Sequence, residues 1–112
     1  MTDNSTEKKK EIAIAIAVVP KGTNRQLVKE HLDELEFLAD TAGAEIIAKI
    51  VQELQRKVPA TAIGSGKVQE VKQLIEESHA TCVIFDDDLT PMQVRNLEKE
   101  LERTVSVYQF FK

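Results

Sequence analysis

The sequence IAIAIAVV, residues 12–19, is the longest apolar run near the N-terminus. It is uncharged and partly β-branched, a pattern that is typical of a strand buried on both faces of a parallel sheet. Pro20, Lys21 and Gly22 follow it and end the strand. An apolar run of this length is too short to cross a membrane, which takes about 20 residues. We therefore expect an interior strand, neither a membrane anchor nor a secretion signal, and a cytoplasmic protein.

Downstream of this strand, three segments have helical periodicity. Apolar side chains at three- and four-residue spacings predict helices over residues 25–42 and 67–78. Thr90, Pro91 and Gln93 have the spacing of a helix N-cap, an N1 proline and the N3 partner of a capping box. They predict the start of a third helix.

Short apolar segments between these helices predict further buried strands, at residues 44–51, 81–85 and 104–107. A fourth apolar piece, residues 60–63, follows its predecessor too closely for a parallel crossover. We expect it to run antiparallel to the strand before it or to lie apart from that strand. The alternation predicts a layered α/β domain with a mostly parallel sheet of about four strands and helices packed on its faces.

Length and composition exclude several classes of function. The chain has 112 residues and a formal net charge of −4, so it is one domain without a bulk positive charge for nucleic acid. Four Phe, one Tyr and no Trp are too few for a base-stacking platform. The one cysteine, Cys82, excludes an internal disulfide and a cysteine-rich zinc site, and its apolar neighbours predict a packing role.

A glycine-rich segment before the second helix resembles the end of a phosphate-binding loop. It consists of Gly64, Ser65, Gly66 and Lys67. A complete P-loop also needs a glycine at position 61 and a Ser or Thr at position 68, where this chain has Thr61 and Val68. P-loop hydrolysis is therefore excluded. Two interpretations remain: the helix N-terminus and the lysine bind a phosphate, or the glycines only permit a tight turn.

An acidic run closes the strand at residues 81–85. Asp86, Asp87 and Asp88 stand where open α/β sheets usually place ligands, and carboxylates can hold Mg²⁺. The first strand ends without an acidic partner for them, and acidic residues before a helix also stabilise its dipole. We therefore predict no metal site.

Basic residues recur every four positions on the third predicted helix, at Arg95, Lys99 and Arg103. This stripe is either a solvated face with ion pairs to neighbouring glutamates or a surface that contacts RNA phosphates.

Five segments, in order and at plausible spacing, resemble the N-terminal domain of the HflX family of ribosome-associated GTPases. They are LDEL at 32–35, LADTAGAE at 38–45, IGSGKVQE at 63–70, VIFDDDLTP at 83–91 and RNLEK at 95–99. The resemblance covers residues 12–105. The family signature includes the glycine–lysine turn already quoted, the acidic strand end at Asp86 and Asp87, Pro91, and Asn96 and Glu98 on the last helix.

The resemblance implies a function for the chain as part of a larger protein. In the family this domain precedes a P-loop GTPase domain, and the whole protein binds the large ribosomal subunit. We therefore expect a non-catalytic module that contributes large-subunit rRNA association and regulates a GTPase domain absent from this chain. GTP and Mg²⁺ are expected only for a full-length relative, so this chain is expected to hold no cofactor. The candidate phosphate or RNA contacts are the glycine–lysine turn and the basic stripe.

The chain also departs from the family pattern. Ala62 stands where the family often has an aromatic residue, and residues 106–112, SVYQFFK, replace the usual continuation towards the GTPase domain. A stand-alone paralogue, a truncated gene product and an excised piece remain open. We expect a polar disordered tail at 1–11, the domain at 12–107 and a divergent tail at 108–112. The alternative functions are weak nucleotide binding at the glycine–lysine turn and dimerisation through an edge strand or the C-terminal tail.

Overall fold

Residues 10–108 form seven elements in the alternating order that the sequence predicts. The computed structural model describes residues 10–108. The elements are β1 (Glu11–Pro20), α1 (Arg25–Thr41), β2 (Ala44–Leu54), α2 (Ser65–Ser78), β3 (Cys82–Asp86), α3 (Pro91–Leu101) and β4 (Thr104–Tyr108). The predicted strand 12–19 and helix 25–42 each lie within one residue of β1 and α1.

The four strands form one sheet in the order β2-β1-β3-β4, and every neighbouring pair is parallel. The α/β prediction is confirmed. Helix α1 connects β1 to β2 on one flank of β1, and α2 then carries the chain from β2 past β1 to β3 on its other flank. The sheet therefore has a switch point between β1 and β3, at whose carboxyl end α/β proteins bind ligands.

The decisive strand β1 contributes to two cores because its side chains alternate between the faces of the sheet. Ile14 and Ile16 are fully buried in the core that α2 and α3 cover. Ala13 and Ala15, equally buried, lie in the second core beneath α1. Large residues therefore fill the space below two helices, and small ones allow a single helix to pack closely.

Helix boundaries follow the local capping chemistry. The Asn24 side chain accepts hydrogen bonds from the N–H groups of Gln26 and Leu27 at the start of α1. The predicted capping box of α3 is present, with Thr90 as N-cap and Gln93 as its reciprocal partner. At its other end, α3 stops because Glu102 adopts a left-handed conformation with φ of 56°.

Of the two placements predicted for residues 60–63, the structure shows the one apart from the preceding strand. This piece is not a strand of the sheet: Ala62 makes an isolated antiparallel bridge to Val58 inside the loop between β2 and α2. Ala62 and Ile63 are fully buried, which explains their apolar character without a strand. Ala62 has φ of 68°, a left-handed conformation that is uncommon outside glycine.

The ends of the domain shift slightly from the prediction. β1 begins at Glu11, so the predicted N-terminal tail is one residue shorter, and residues 1–9 of it lie outside the described part. β4 includes Tyr108, and the remainder of the predicted C-terminal tail, 109–112, also lies outside. Across residues 10–108, no helix is long and apolar enough to span a bilayer.

Candidate functional site

The loops at the carboxyl ends of the strands bring together most of the residues that the sequence singles out. The β2–α2 connection has two parts, which we name the latched loop (residues 55–63) and the glycine turn (residues 64–67). The acidic run of residues 86–88 follows β3 and also lies at the carboxyl ends of the strands.

The latched loop is fixed to α3 by two amide side chains. Gln93, which is 7% exposed, donates from Nε2 to the carbonyl oxygens of Val58 and Pro59 at 3.4 and 3.2 Å. Asn96 donates from Nδ2 to the carbonyl oxygen of Ala60 at 3.0 Å. The Val58 carbonyl also accepts from the Ala62 N–H. The amide bonds satisfy the Pro59 and Ala60 carbonyls, which lie outside the sheet, and they hold the loop against the helix.

A lysine ties the same loop to the acidic run. Lys57 Nζ lies 2.8 Å from Asp87 Oδ1 and donates to the carbonyl oxygen of Asp88 at 3.2 Å. The Asp87 side chain is only 14% exposed, and its buried Oδ2 atom has no hydrogen-bond partner among residues 10–108. Asp87 therefore serves mainly to anchor Lys57.

The remaining acidic residues do not converge on a metal. Burial raises the pKa of Asp86; the nearby His31 opposes this effect and the Asp87 carboxylate adds to it. Within residues 10–108, no group of three or more His, Cys, Asp or Glu side chains is placed to bind a metal ion.

The glycine turn forms the N-terminus of α2. Gly64 is the N-cap with φ of −68°, and no side chain caps the helix there. Gly64 donates its N–H to Gln52 Oε1 at 3.2 Å. Ser65 and Gly66 are exposed, whereas Lys67 Nζ lies 3.0 Å from Glu70 Oε1. Part of the charge of Lys67 is therefore neutralised within the helix.

The conformation of the turn does not depend on these two glycines. Neither Gly64 nor Gly66 has a positive φ. A Cβ atom on Gly66 would meet nothing within 4 Å, and on Gly64 it would lie 3.8 Å from Gln52 Oε1. Both positions have a conformation and enough space for alanine, so backbone geometry does not require glycine there.

The predicted basic stripe is interrupted in the structure. α3 ends at Leu101, so Arg103 does not lie on the helix with Arg95 and Lys99. Arg103 instead donates from Nε to the carbonyl oxygen of Ala80 and from Nη1 to that of Glu102, each at 2.8 Å. Its role is to join the end of α3 to the start of β3.

A groove between α2 and α3 brings two of the candidate contacts together. Its volume is about 370 Å³, and it is lined by Ser65 of the glycine turn, Lys99 and Asn96 of α3, and Thr61 of the latched loop. Arg95 does not line the groove. The groove therefore places an uncapped helix N-terminus, a hydroxyl and an ammonium group along one open surface.

Several family-signature residues have structural contacts that the sequence does not reveal. Pro91 occupies the first turn of α3. Asn96 holds the latched loop, and Glu98 Oε2 accepts a hydrogen bond from the Val105 N–H at 3.0 Å. Lys57 was not a candidate from the sequence, because a lone lysine in a polar connection carries no pattern. The sequence predicts the capping role of Gln93 but not its hydrogen bonds to the latched loop.

Comparisons with known proteins agree with this architecture. The family model described as GTP-binding GTPase N-terminal matches residues 29–107. The chain belongs to the HflX GTPase family. HflX GTPases from Flavobacterium psychrophilum and Lacrimispora saccharolytica are 37% and 40% identical to it over 92 and 108 residues. These alignments cover 82% and 91% of this chain.

A third relative, the HflX GTPase of Magnetococcus marinus, is 45% identical over 89 residues, which is 80% of this chain. The chain spans only 20–26% of the length of these three HflX relatives. The match is thus to the N-terminal domain of HflX, as the five sequence segments predict.

Proposed function

We propose that this chain is a non-catalytic N-terminal module of an HflX-type GTPase that binds the large ribosomal subunit through rRNA and regulates a GTPase domain. The observation that carries the proposal is the family match over residues 29–107 combined with the open groove beside the glycine turn. A module that meets RNA phosphates needs accessible donors rather than a net positive charge.

The groove has the features that such a local contact requires. The exposed N–H groups at the start of α2 and the Lys99 ammonium group can both approach a phosphate. The chain is acidic as a whole, so we expect binding to be weak and confined to this surface. The Glu70 carboxylate beside Lys67 and Glu100 on the groove wall reduce the local positive charge.

Co-sedimentation of the purified chain with large ribosomal subunits tests the proposal. We expect binding at low salt that weakens as salt rises, because displaced counterions drive phosphate contacts. Lys99→Glu should weaken binding and lower the slope of log affinity against log salt by about 1. Lys72→Glu is the matched control, since Lys72 lies on α2 and lines a different groove. No binding at low salt contradicts the proposal.

Regulation of the GTPase domain is tested separately in trans. The isolated GTPase domain of a relative is assayed for GTP hydrolysis with and without this chain. We expect the chain to change the rate without hydrolysing GTP itself. Calorimetry with GTP or ATP and Mg²⁺ should show no heat at millimolar nucleotide, and measurable heat would favour the alternative of nucleotide binding at the glycine turn.

A further inference from the structure

The two outer strands of the sheet differ in how their free edges are protected. β2 is an 11-residue edge strand that carries Glu45, Lys49 and Glu53, and its pairing with β1 has a register irregularity. Charges and bulges are the devices by which proteins prevent strands from other chains adding to an edge. β4, at the opposite edge, is the one strand of the described sheet without a charged residue.

The β4 edge also exposes apolar side chains on both faces of the sheet. Val105 is buried in the core under α2 and α3, and Val107 follows it on the same face with 40% exposure. Tyr108, on the opposite face, is 37% exposed. A short, uncharged, β-branched strand with exposed apolar residues is suited to pairing with another strand.

One side chain reaches the β4 backbone from α3. Glu98 Oε2 accepts a hydrogen bond from the Val105 N–H, so this N–H faces away from β3. Because backbone groups of a strand alternate between its two sides, the N–H and carbonyl groups of Val107 also face outward. Glu98 therefore protects one end of the edge and leaves the other available.

We propose that the β4 edge binds the β4 edge of a second copy of this chain, in an antiparallel pair with a two-fold axis at Ser106. Full overlap of the two strands places Val105 opposite Val107 of the other copy and Ser106 opposite its own counterpart. Apolar residues then meet apolar residues, and no charges are opposed.

The same antiparallel pairing between two β2 strands would bring like charges together. Full antiparallel overlap of residues 44–54 places Lys49 opposite Lys49 and Glu45 opposite Glu53, so like charges meet at three positions. This self-complementarity of β4, and its absence from β2, favours a second copy as the occupant of the β4 edge. The proposal does not depend on ribosome binding.

The association is expected to be weak. Five residues from each copy are far fewer than the roughly 20–30 residues a side of a standard interface, and pairing must displace Glu98 from Val105. Sedimentation equilibrium of the full 112-residue chain should therefore extend to about 1 mM, where weak complexes become populated. We expect a reversible monomer–dimer equilibrium, and a strictly monomeric chain overturns the proposal.

Charge variants at Ser106 test the predicted register. Ser106 is exposed, and the two copies of its Cα atom would be about 4.5 Å apart in this pair. Ser106→Lys and Ser106→Glu should each raise the dissociation constant about fivefold or more, since like charges are directly opposed. An equimolar mixture of the two variants should restore dimers, because opposite charges then meet.

Gln26→Lys is the matched control, since it makes the same charge change on the exposed surface of α1. It should leave the dissociation constant unchanged. Dimerisation that survives Ser106→Lys, or a mixture of Lys and Glu variants that remains monomeric, contradicts an antiparallel β4 pair centred on Ser106.

Discussion

The latched loop and the glycine turn are consecutive in the chain, but the loop is fixed against the domain and the turn is largely exposed. The loop is held by Gln93, Asn96 and Lys57, and its Ala62 and Ile63 are fully buried. The turn is exposed at Ser65 and Gly66, and its glycines are not required by backbone geometry. The comparison separates family residues that maintain the structure from those that remain available for recognition.

The largest expected effect comes from removing Gln93. Gln93→Leu keeps the volume but leaves the Pro59 carbonyl and the Thr90 N–H without this partner, whereas the Val58 carbonyl keeps its hydrogen bond from the Ala62 N–H. The lost hydrogen bonds to the loop and the lost half of the capping box each cost about 1 kcal/mol, so we expect a loss of about 2 kcal/mol in urea denaturation. A loss below about 1 kcal/mol would show that the loop does not need this latch.

A smaller loss is expected at Asn96, which makes one bond to the same loop. Asn96→Ala should lower the free energy of unfolding by about 1 kcal/mol, because the exposed carbonyl of Ala60 can turn to water. Arg95→Ala, one position earlier on the exposed side of α3, is the control and should change the stability by less than about 0.5 kcal/mol. Equal losses for both variants would contradict a specific role for Asn96.

The sequence predicts the elements well because their signals are local. Strand β1 and the capping box of α3 each depend on neighbours within a few positions. The latches join residues about 30 or more positions apart, such as Lys57 to Asp87, and leave no periodic signal. Ala62 and Ile63 have the apolar character of a strand because the loop buries them in the core. The prediction of Arg103 on the third helix is wrong because its helical spacing continues after Glu102 has ended the helix.

A substitution in the glycine turn should raise the stability of the protein, whereas those in the contacts of the latched loop lower it. Gly66 lies in the first turn of α2 with space for a methyl group, so Gly66→Ala should stabilise the protein by about 0.5–1 kcal/mol. Thermal denaturation measures this change. Destabilisation would mean that the turn, like the latched loop, is under a structural constraint.

The smallest effect is expected at low pH, on the face of the sheet away from the latched loop. Hydrogen bonds from Lys29 and Lys49 lower the pKa of Asp33 to about 2. Asp33 therefore stabilises the fold above the unfolded-state pKa, and this contribution is lost as pH falls from about 4 towards 2. Asp33→Asn should flatten the stability profile in that window. An unchanged profile contradicts the assigned hydrogen bonds.

Gly66→Ala tests most directly whether the glycine turn, unlike the latched loop, serves recognition. Its affinity for large ribosomal subunits is measured together with its stability. A bulkier turn should hinder the approach of a phosphate to the N–H groups of α2. We expect a protein that is more stable than the parent and binds large subunits less tightly at low salt. A more stable protein with unchanged affinity would contradict this expectation.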